Sequence, residues 1–408
     1  MQGGATAIMD ETGGGGMPSG LGSLERAARQ MLPDLAARAE AGSDAQRLSP
    51  ETVATFRQAG FFRLLQPAAL GGHEASPRLL FRLQALLAEA DMSASWVLAN
   101  MGILAFHLAL FDPRAQEDVW GADPGAILAS SNMPGGRAEP VPGGYRLSGF
   151  WRFSSGVDHA DWLILGGLCQ AGSELEDGGL EPRAFLVPRD AVEIVRDWDV
   201  TGLRGTGSHA LRIGEAFVPA HRTHRHADRF AGTSPGLTVN RSALYRLPLP
   251  QLQFRAVSTS SIGGLKGMLA TFLAQNADRT SMMAQKIAED PHVRGLCAET
   301  AATASEMLAA MEQSFAAMEE AVAAGGEPPL EERRIYRLSA TRVPERCLAL
   351  ASGLYRAAGA AALYRGSPIG RMYQDLLAAR QHAANQFELH GRALGAALFG
   401  QPGEDVLL

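Results

Sequence analysis

Small hydroxyls beside flat aromatics mark the first stretch of this chain where chemistry could sit. From Gly144 to Gly167 it reads GYRLSGFWRFSSGVDHADWLILGG. Phe150, Trp151 and Phe153 stand just ahead of Ser154, Ser155 and Gly156. Aromatics so placed can wall a flat, polar-edged ring, and a short serine can reach a ring nitrogen without crowding it. The same residues also suit a hairpin of an antiparallel sheet, with the aromatics for packing and Ser-Ser-Gly for the turn. Strand residues alternate in direction, so Ser154 and Ser155 serve opposite sides. A second group lies late in the chain. RMYQDLLAARQH sets Arg371, Asp375, Ala378 and His382 on one helical face. An imidazole there titrates in the range useful for proton transfer, and the alanines leave room for a ligand; a surface histidine is the alternative. His107 stands in the apolar run SASWVLANMGILAFHLALF, where a satisfied core histidine competes with a pocket role. Trp96 and Asn100 on that run read as packing. His221, His224 and His226 in HRTHRH are of metal-ligating type. They lie among arginines without an acidic or cysteine partner in sequence, so they read as a solvated loop and no metal is expected.

The elements that must position these groups follow from the patterns around them. With 408 residues the chain exceeds one typical core and implies two or three packed layers. Residues 1–20, rich in glycine, read as a flexible tail and lack the plan of a signal peptide. Residues 21–122 are helical: SLERAARQMLPDLAARAEAG is amphipathic with Gly42 as its stop, Ser49-Pro50-Glu51 opens the next helix, and the run bearing His107 is apolar nearly all round and should be a buried helix. Residues 123–230 change to short alternating runs punctuated by glycine and proline (AILASS, GYRLSGFWRFSS, WLILGGL, RAFLVP, EIVRDW, LRIGEAFVP), the pattern of an antiparallel sheet or small barrel, with Ala171–Glu181 as an acidic loop. Residues 231–408 are helical again. This order is α+β rather than alternating βαβ. No GxGxxG leads a strand into a helix and no P-loop is present, which excludes the common nucleotide sites. A formal charge of -6 excludes a nucleic-acid groove or an anionic membrane as the main partner. Apolar runs are broken short of about 18 residues, so no membrane span is expected. Three scattered cysteines suit a reducing cytoplasm.

The layout of helices, β domain and helical bundle resembles the acyl-CoA dehydrogenase fold, with its N-terminal helical domain, middle antiparallel β-barrel domain and C-terminal four-helix bundle. Within that fold, five segments look like the oxygenase components of two-component, reduced-flavin-dependent monooxygenases, such as those of p-hydroxyphenylacetate and steroid-ring phenol hydroxylases: FRLLQPAALGG, SASWVLAN…FHLALF, ASSNMPGGRAEPVPGGYRLSGFWRFSSGVDHADW, DWDVTGLRGTGSHALRIGEAFVPAHR and YRGSPIGRMYQDLLAARQH. The resemblance implies that reduced FMN or FAD arrives from a separate NAD(P)H-dependent reductase. It then reacts with O2 at ring carbon C4a, and the hydroperoxide hydroxylates a small aromatic or polycyclic molecule. It also implies site residues. Gly149, Phe153 and Ser155 fall on a pattern that places a hydroxyl at flavin N5, with Phe153 against the ring and Ser154 as the weaker neighbour. His382 lies over the flavin, as a hydrogen-bond partner of the hydroperoxide or a base for a phenol. His107 lines the substrate pocket. Arg255 brings a cation to the flavin, and Arg279 falls where the parent fold presents an arginine to the flavin phosphates of a neighbouring subunit. The glycine-rich loop Gly202–Ala210 lies beside the flavin, and assembly is as a dimer or tetramer. Two departures stand out: Gln374-Asp375 replaces the family's Arg-Asp, and DRTSMMAQK replaces Arg-x-x-Phe-Gly. The competing functions are N-, S- or indole oxidation on the same fold, an acyl-CoA dehydrogenase, and a flavin-free scaffold. The dehydrogenase needs a carboxylate base, and the late loop YRGSPIG lacks one, leaving only Glu388 and Asp375.

Overall fold

The computed structural model describes residues 22–170, 179–280 and 285–402. The expected tail and most of the Ala171–Glu181 loop lie outside them. The N-terminal part comprises α1 (Gly22–Ala45), α2 (Pro50–Gln58), α3 (Pro77–Ala88), α4 (Met92–Ala109) and α5 (Pro113–Trp120). Ser49 caps α2, its hydroxyl accepting the Thr52 N–H at 3.2 Å ahead of Pro50. Helix α1 continues past Gly42, because Ala28, Leu35 and Ala39 seat its apolar face in the core and packing overrides the local preference. Asp91 caps α4 through the Ser93 and Ala94 N–H groups at 2.8 and 3.3 Å. Every residue of α4 except Asn100 is buried. By length and a mean hydropathy of 1.4 this helix could cross a membrane, contrary to the reading that no apolar run is long enough. Protein surrounds it on all sides instead.

The middle part is a single seven-stranded sheet: β1 (Leu128–Val141), β2 (Gly144–Ser154), β3 (Trp162–Gln170), β4 (Leu180–Pro188), β5 (Glu193–Val195), β6 (His209–Pro219) and β7 (Thr223–Arg225), in the order β5-β6-β2-β1-β3-β4-β7. It is mixed rather than an antiparallel barrel. A tight hairpin pairs β2 with one edge of β1, and a short 3-10 turn at Val157–His159 delivers β3 to the other edge, parallel to β1. Around Trp151 the strands approach closely. A Cβ at Gly149 would lie 2.5 Å from the Gly135 carbonyl oxygen, and the Trp151 indole donates to the Gly166 carbonyl at 2.6 Å. Glycine is required there by space.

The remaining helices are α6 (His226–Phe230), α7 (Leu249–Ala256), α8 (Thr259–Asn276), α9 (Pro291–Ala323), α10 (Leu330–Thr341), α11 (Val343–Ala358), α12 (Pro368–Arg380) and α13 (Phe387–Leu398). Helices α8, α9, α11 and α12 share a core of Ile262, Leu265, Met268, Phe272, Met307, Cys347, Leu354 and Leu376. Helix α8 also packs on α3, where side chains at Gly263 and Gly267 would overlap the Ala85 and Glu89 carbonyls. That contact holds the late helices on α3 and α4, and so brings α12 to the sheet.

Candidate active site

Strand β2 ends in a left-handed bend. Phe153 has φ +64° and Gly156 φ +73°. For a bulky residue such a conformation stores strain on the order of 1–3 kcal/mol. The bend points Phe153 outward, 61% exposed and edge-on to Trp198 at 6.1 Å. Ser154 turns inward, fully buried, with no partner for its hydroxyl. Ser155 turns the other way, as strand alternation requires. Its Oγ accepts from the Trp96 indole N–H at 3.1 Å and lies 2.8 Å from Ser208 Oγ. Ser208 Oγ in turn lies 2.7 Å from Thr206 Oγ1. The loop carrying these hydroxyls is fixed at both ends. The Gly156 N–H donates to the Thr206 carbonyl at 2.9 Å. Leu203, at φ +52°, donates its N–H to Asp375 Oδ1 of α12 at 2.6 Å. Gly202 is pressed so closely on the Gln374 carbonyl that a Cβ would overlap it.

Helix α12 ends at Arg380 with Gln381 as its C-cap, so His382 lies past the helix rather than on its face as the sequence pattern suggested, and caps the short 3-10 turn Ala383–Asn385. Its ring meets Trp96 edge-on, with centroids 5.7 Å apart. Trp96 of α4 therefore touches Ser155 on one side and His382 on the other, joining two residues 227 positions apart in sequence. His382 Nδ1 accepts the Ala384 N–H at 3.2 Å. In a neutral ring this places the proton on Nε2. Burial pushes the imidazole down to about 4, so the ring is neutral at pH 7. Burial also pushes the Asp375 carboxyl up to about 7, against the Leu203 N–H and Arg371, with Asp91 adding to the rise.

Other expected residues lie elsewhere. His107 is eleven positions beyond Trp96 on α4, about 16 Å along the axis. It is buried against Phe111 and His224, ring centroids 5.4 and 5.7 Å away, and neither nitrogen has a partner. Burial, His224, Arg229 and His226 hold its basicity far below normal. Arg255 of α7 is buried and donates to Ser339 Oγ of α10 at 3.3 Å, its basicity lowered by burial to about 10. Arg279 donates through Nη1 to Asn276 Oδ1 at 2.7 Å and the Ala358 carbonyl at 2.6 Å, closing the end of α11. The HRTHRH segment is not the solvated loop expected. His221 and Arg222 converge on Asp118 at 2.8 and 2.7 Å, and His224, in β7, is buried and bonded to Ser234 Oγ at 2.9 Å. Among the described residues no group of three His, Cys, Asp or Glu could hold a metal ion. Glu388 accepts from Arg380 at 2.9 Å, and Asp375 is buried under the Leu203 loop, so neither acid is placed as a free base. The sequence reading took Trp96 for packing and gave Ser208 and Thr206 no role of their own. The only signal was hydroxyl residues within a glycine-rich loop.

The residues around Ser155 fit the N5 edge of a flavin ring. A hydroxyl oxygen with an open lone pair sits beside an uncovered aromatic held in a strained bend, with His382 Nε2–H nearby through Trp96. Among the described residues no phosphate site is prepared at Arg279, whose Nη1 is already engaged.

Comparison with known proteins gives concordant matches. Residues 256–387 match the family model of the acyl-CoA dehydrogenase C-terminal domain. The flavin-dependent monooxygenase oxygenase subunit HsaA of Mycobacterium tuberculosis is 36% identical over 389 residues, covering 95% of this chain and 98% of the relative. HsaA of Rhodococcus jostii is 33% identical over 381 residues, 93% of this chain and 98% of the relative. The crystal structure of the M. tuberculosis HsaA monooxygenase superposes with a TM-score of 0.89 at 35% identity, over 95% of this chain and all of that one.

Proposed function

The chain belongs to the oxygenase subunits of flavin-dependent monooxygenases, on an acyl-CoA dehydrogenase-like α+β fold, and from that premise we propose the roles of its residues. The enzyme works with reduced flavin and O2 on an aromatic substrate, beside a separate flavin reductase. Bound reduced flavin supplies the two electrons that activate O2. With flavin bound, Ser155 Oγ would accept a hydrogen bond at the N5 edge and Phe153 would wall the ring, while Ser154 supports the bend from within. His382 donates its Nε2–H toward the oxygen being transferred or the phenolic oxygen. Trp96 fixes the spacing between the two and shields the site from water. His107, Arg255 and Arg279 act from outside direct contact, because their nitrogens are enclosed or bonded within the chain. The three parts, 21–122, 123–230 and 231–408, meet at this point. Exposed Leu363, Tyr364, Leu398 and Phe399 on the late helices favour self-association as a dimer or tetramer. Three free thiols favour a reducing cytoplasm.

The observation that carries this reading is Trp96 contacting Ser155 and His382 at once. The test supplies the purified protein with chemically reduced FMN or FAD, O2 and a panel of phenols, and measures hydroxylated product against hydrogen peroxide. Product without any reductase present is the expected result. Peroxide alone with every phenol, together with reduction of oxidised flavin by an acyl-CoA, would overturn it.

A further inference from the structure

The hydrogen bonds behind Ser155 have a forced direction. The Leu203 carbonyl oxygen accepts the Trp198 indole N–H and the Thr206 N–H at 3.1 Å each, and Thr206 Oγ1 lies 2.8 Å from it; two oxygens that close need a proton between them, and a carbonyl has none, so the single Thr206 hydroxyl proton is spent there. Ser208, 2.7 Å from Thr206 Oγ1, must therefore donate to it. Ser155, 2.8 Å from Ser208, must then donate to Ser208. Trp96 Nε1, a donor only, fills one lone pair of Ser155 at 3.1 Å. Ser155 is left with no proton to offer and one lone pair open. Reversing the chain would set two bare oxygens against each other at the Thr206–Leu203 contact. Thr206 is 1% and Ser208 4% exposed, so no solvent is at hand to relieve them.

We propose that Ser208 and Thr206 are positioning residues that lock Ser155 as an acceptor, and that this lock selects reduced over oxidised flavin. Reduced flavin carries a hydrogen on N5, which Ser155 accepts. Oxidised flavin presents a lone pair at N5, which meets the Ser155 lone pair and is repelled. The selection lets the subunit take up the cofactor as the reductase releases it. The inference rests on the reading of Ser155 as the N5 partner.

The test measures Kd for oxidised flavin and, anaerobically, for dithionite-reduced flavin. Wild type is compared with Ser208→Ala, Thr206→Val, Ser208→Thr and Ser155→Ala. Freed from the relay, the Ser155 proton can turn to oxidised N5. The oxidised-to-reduced Kd ratio should then fall about tenfold in both Ser208→Ala and Thr206→Val. The bound-flavin potential should move about 30 mV negative, the equivalent of tenfold for two electrons. Ser208→Thr, which keeps the hydroxyl, should restore the ratio. If Ser155→Ala changes the ratio while Ser208→Ala and Thr206→Val leave it at the wild-type value, the relay is wrong and the N5 reading stands. If Ser155→Ala leaves both affinities unchanged, the N5 reading itself is wrong.

Discussion

A neutral His382 with its proton on Nε2 donates a hydrogen bond and cannot take a proton at that nitrogen. It therefore serves as a donor at neutral pH, which narrows the two roles the family resemblance allowed it. Removing such a bond in a water-poor site is worth roughly one to two orders of magnitude. His382→Ala should lower product formed per reduced flavin by about tenfold or more and raise peroxide correspondingly. The coupling of wild type should be flat from pH 6 to 8, because the ring titrates near 4. A coupling break near pH 6.5 that vanishes in His382→Ala would show a protonated ring instead. Phe153 allows an independent check. It is 61% exposed at φ +64°, so it adds strain and little burial. Phe153→Gly relieves the strain, and the extra chain entropy of glycine offsets part of that gain. Thermal melting should shift by no more than about 1 kcal/mol equivalent while flavin affinity drops. A large loss of stability would mean that Phe153 packs rather than waits for a ring. Ser155 and His382 were legible because each sits in a patterned segment. Trp96 was not. The hydroxyl its indole meets, Ser155, lies just past β2 and 59 positions away, and an apolar helix gives no sign of which aromatic will carry a polar contact.

At the scale of elements, the site depends on α12 holding the Leu203 loop. Asp375 accepts the Leu203 N–H from inside a buried pocket, and Gly202 lies flat on the Gln374 carbonyl. The family's Arg-Asp pair is thus reduced here to its aspartate, with backbone contact at Gln374. Arg371, one turn earlier, supplies the charge that favours ionised Asp375 and Asp91. The folded carboxyl titrates near 7 against about 3.8 when free, so the folded state holds the extra proton between those values. The stabilising difference is present below about 3.8 and is lost as pH rises through 7. Asp375→Asn keeps an acceptor for Leu203 without the charge. Its melting temperature relative to wild type should rise from pH 5 and level off above about pH 7, with a free-energy gain on the order of a few kcal/mol at most. Parallel melting curves would show that the carboxyl is not held neutral. The helices, and most strands, were legible from caps and patterning: Ser49-Pro50 opens α2, and the run bearing His107 is apolar nearly all round, as the buried α4 requires. The pairing of β1 with β3 was not, because strand patterns say which face is buried and are silent on which neighbour lies alongside. Nor was β7, three residues long and built from Thr223, His224 and Arg225 of a segment expected at the surface.

Across the whole molecule, buried titratable groups set how stability follows pH, and they pull in opposite directions. His107 and His224 are each 1% exposed and stay neutral, the latter pushed down to about 3 by burial and nearby cations, while His382 and His390 are lowered to about 4. In the unfolded chain these rings take up protons below about 6.5. Their contribution is complete above that pH and is lost as pH falls toward 4. Asp375 and Asp91, both raised by burial, act in the opposite sense, Asp375 between about 3.8 and about 7. Each fully responding group contributes a slope of up to about 1.4 kcal/mol per pH unit. His226, lowered to about 4, and the lowered His73, His159 and His209 act with these rings, and Glu312, raised by burial, acts with the carboxyls, so more groups favour a rise in stability toward pH 6.5 than oppose it. The pair at the far end of α4 is where this can be isolated. His107 makes no hydrogen bond and packs between Phe111 and His224, so phenylalanine fills its place without orphaning a donor. His107→Phe should melt at a temperature that gains on wild type as pH drops from 7.5 to 5. The relative gain should grow as pH falls below 6.5, because the folded ring, held well below normal by burial, does not take up the proton that the unfolded chain does. Flavin affinity should stay at the wild-type value, since His107 lies about 16 Å along the helix from Trp96. A melting difference independent of pH would show that the ring carries a proton when folded. A loss of flavin affinity would return His107 to the cofactor's surroundings.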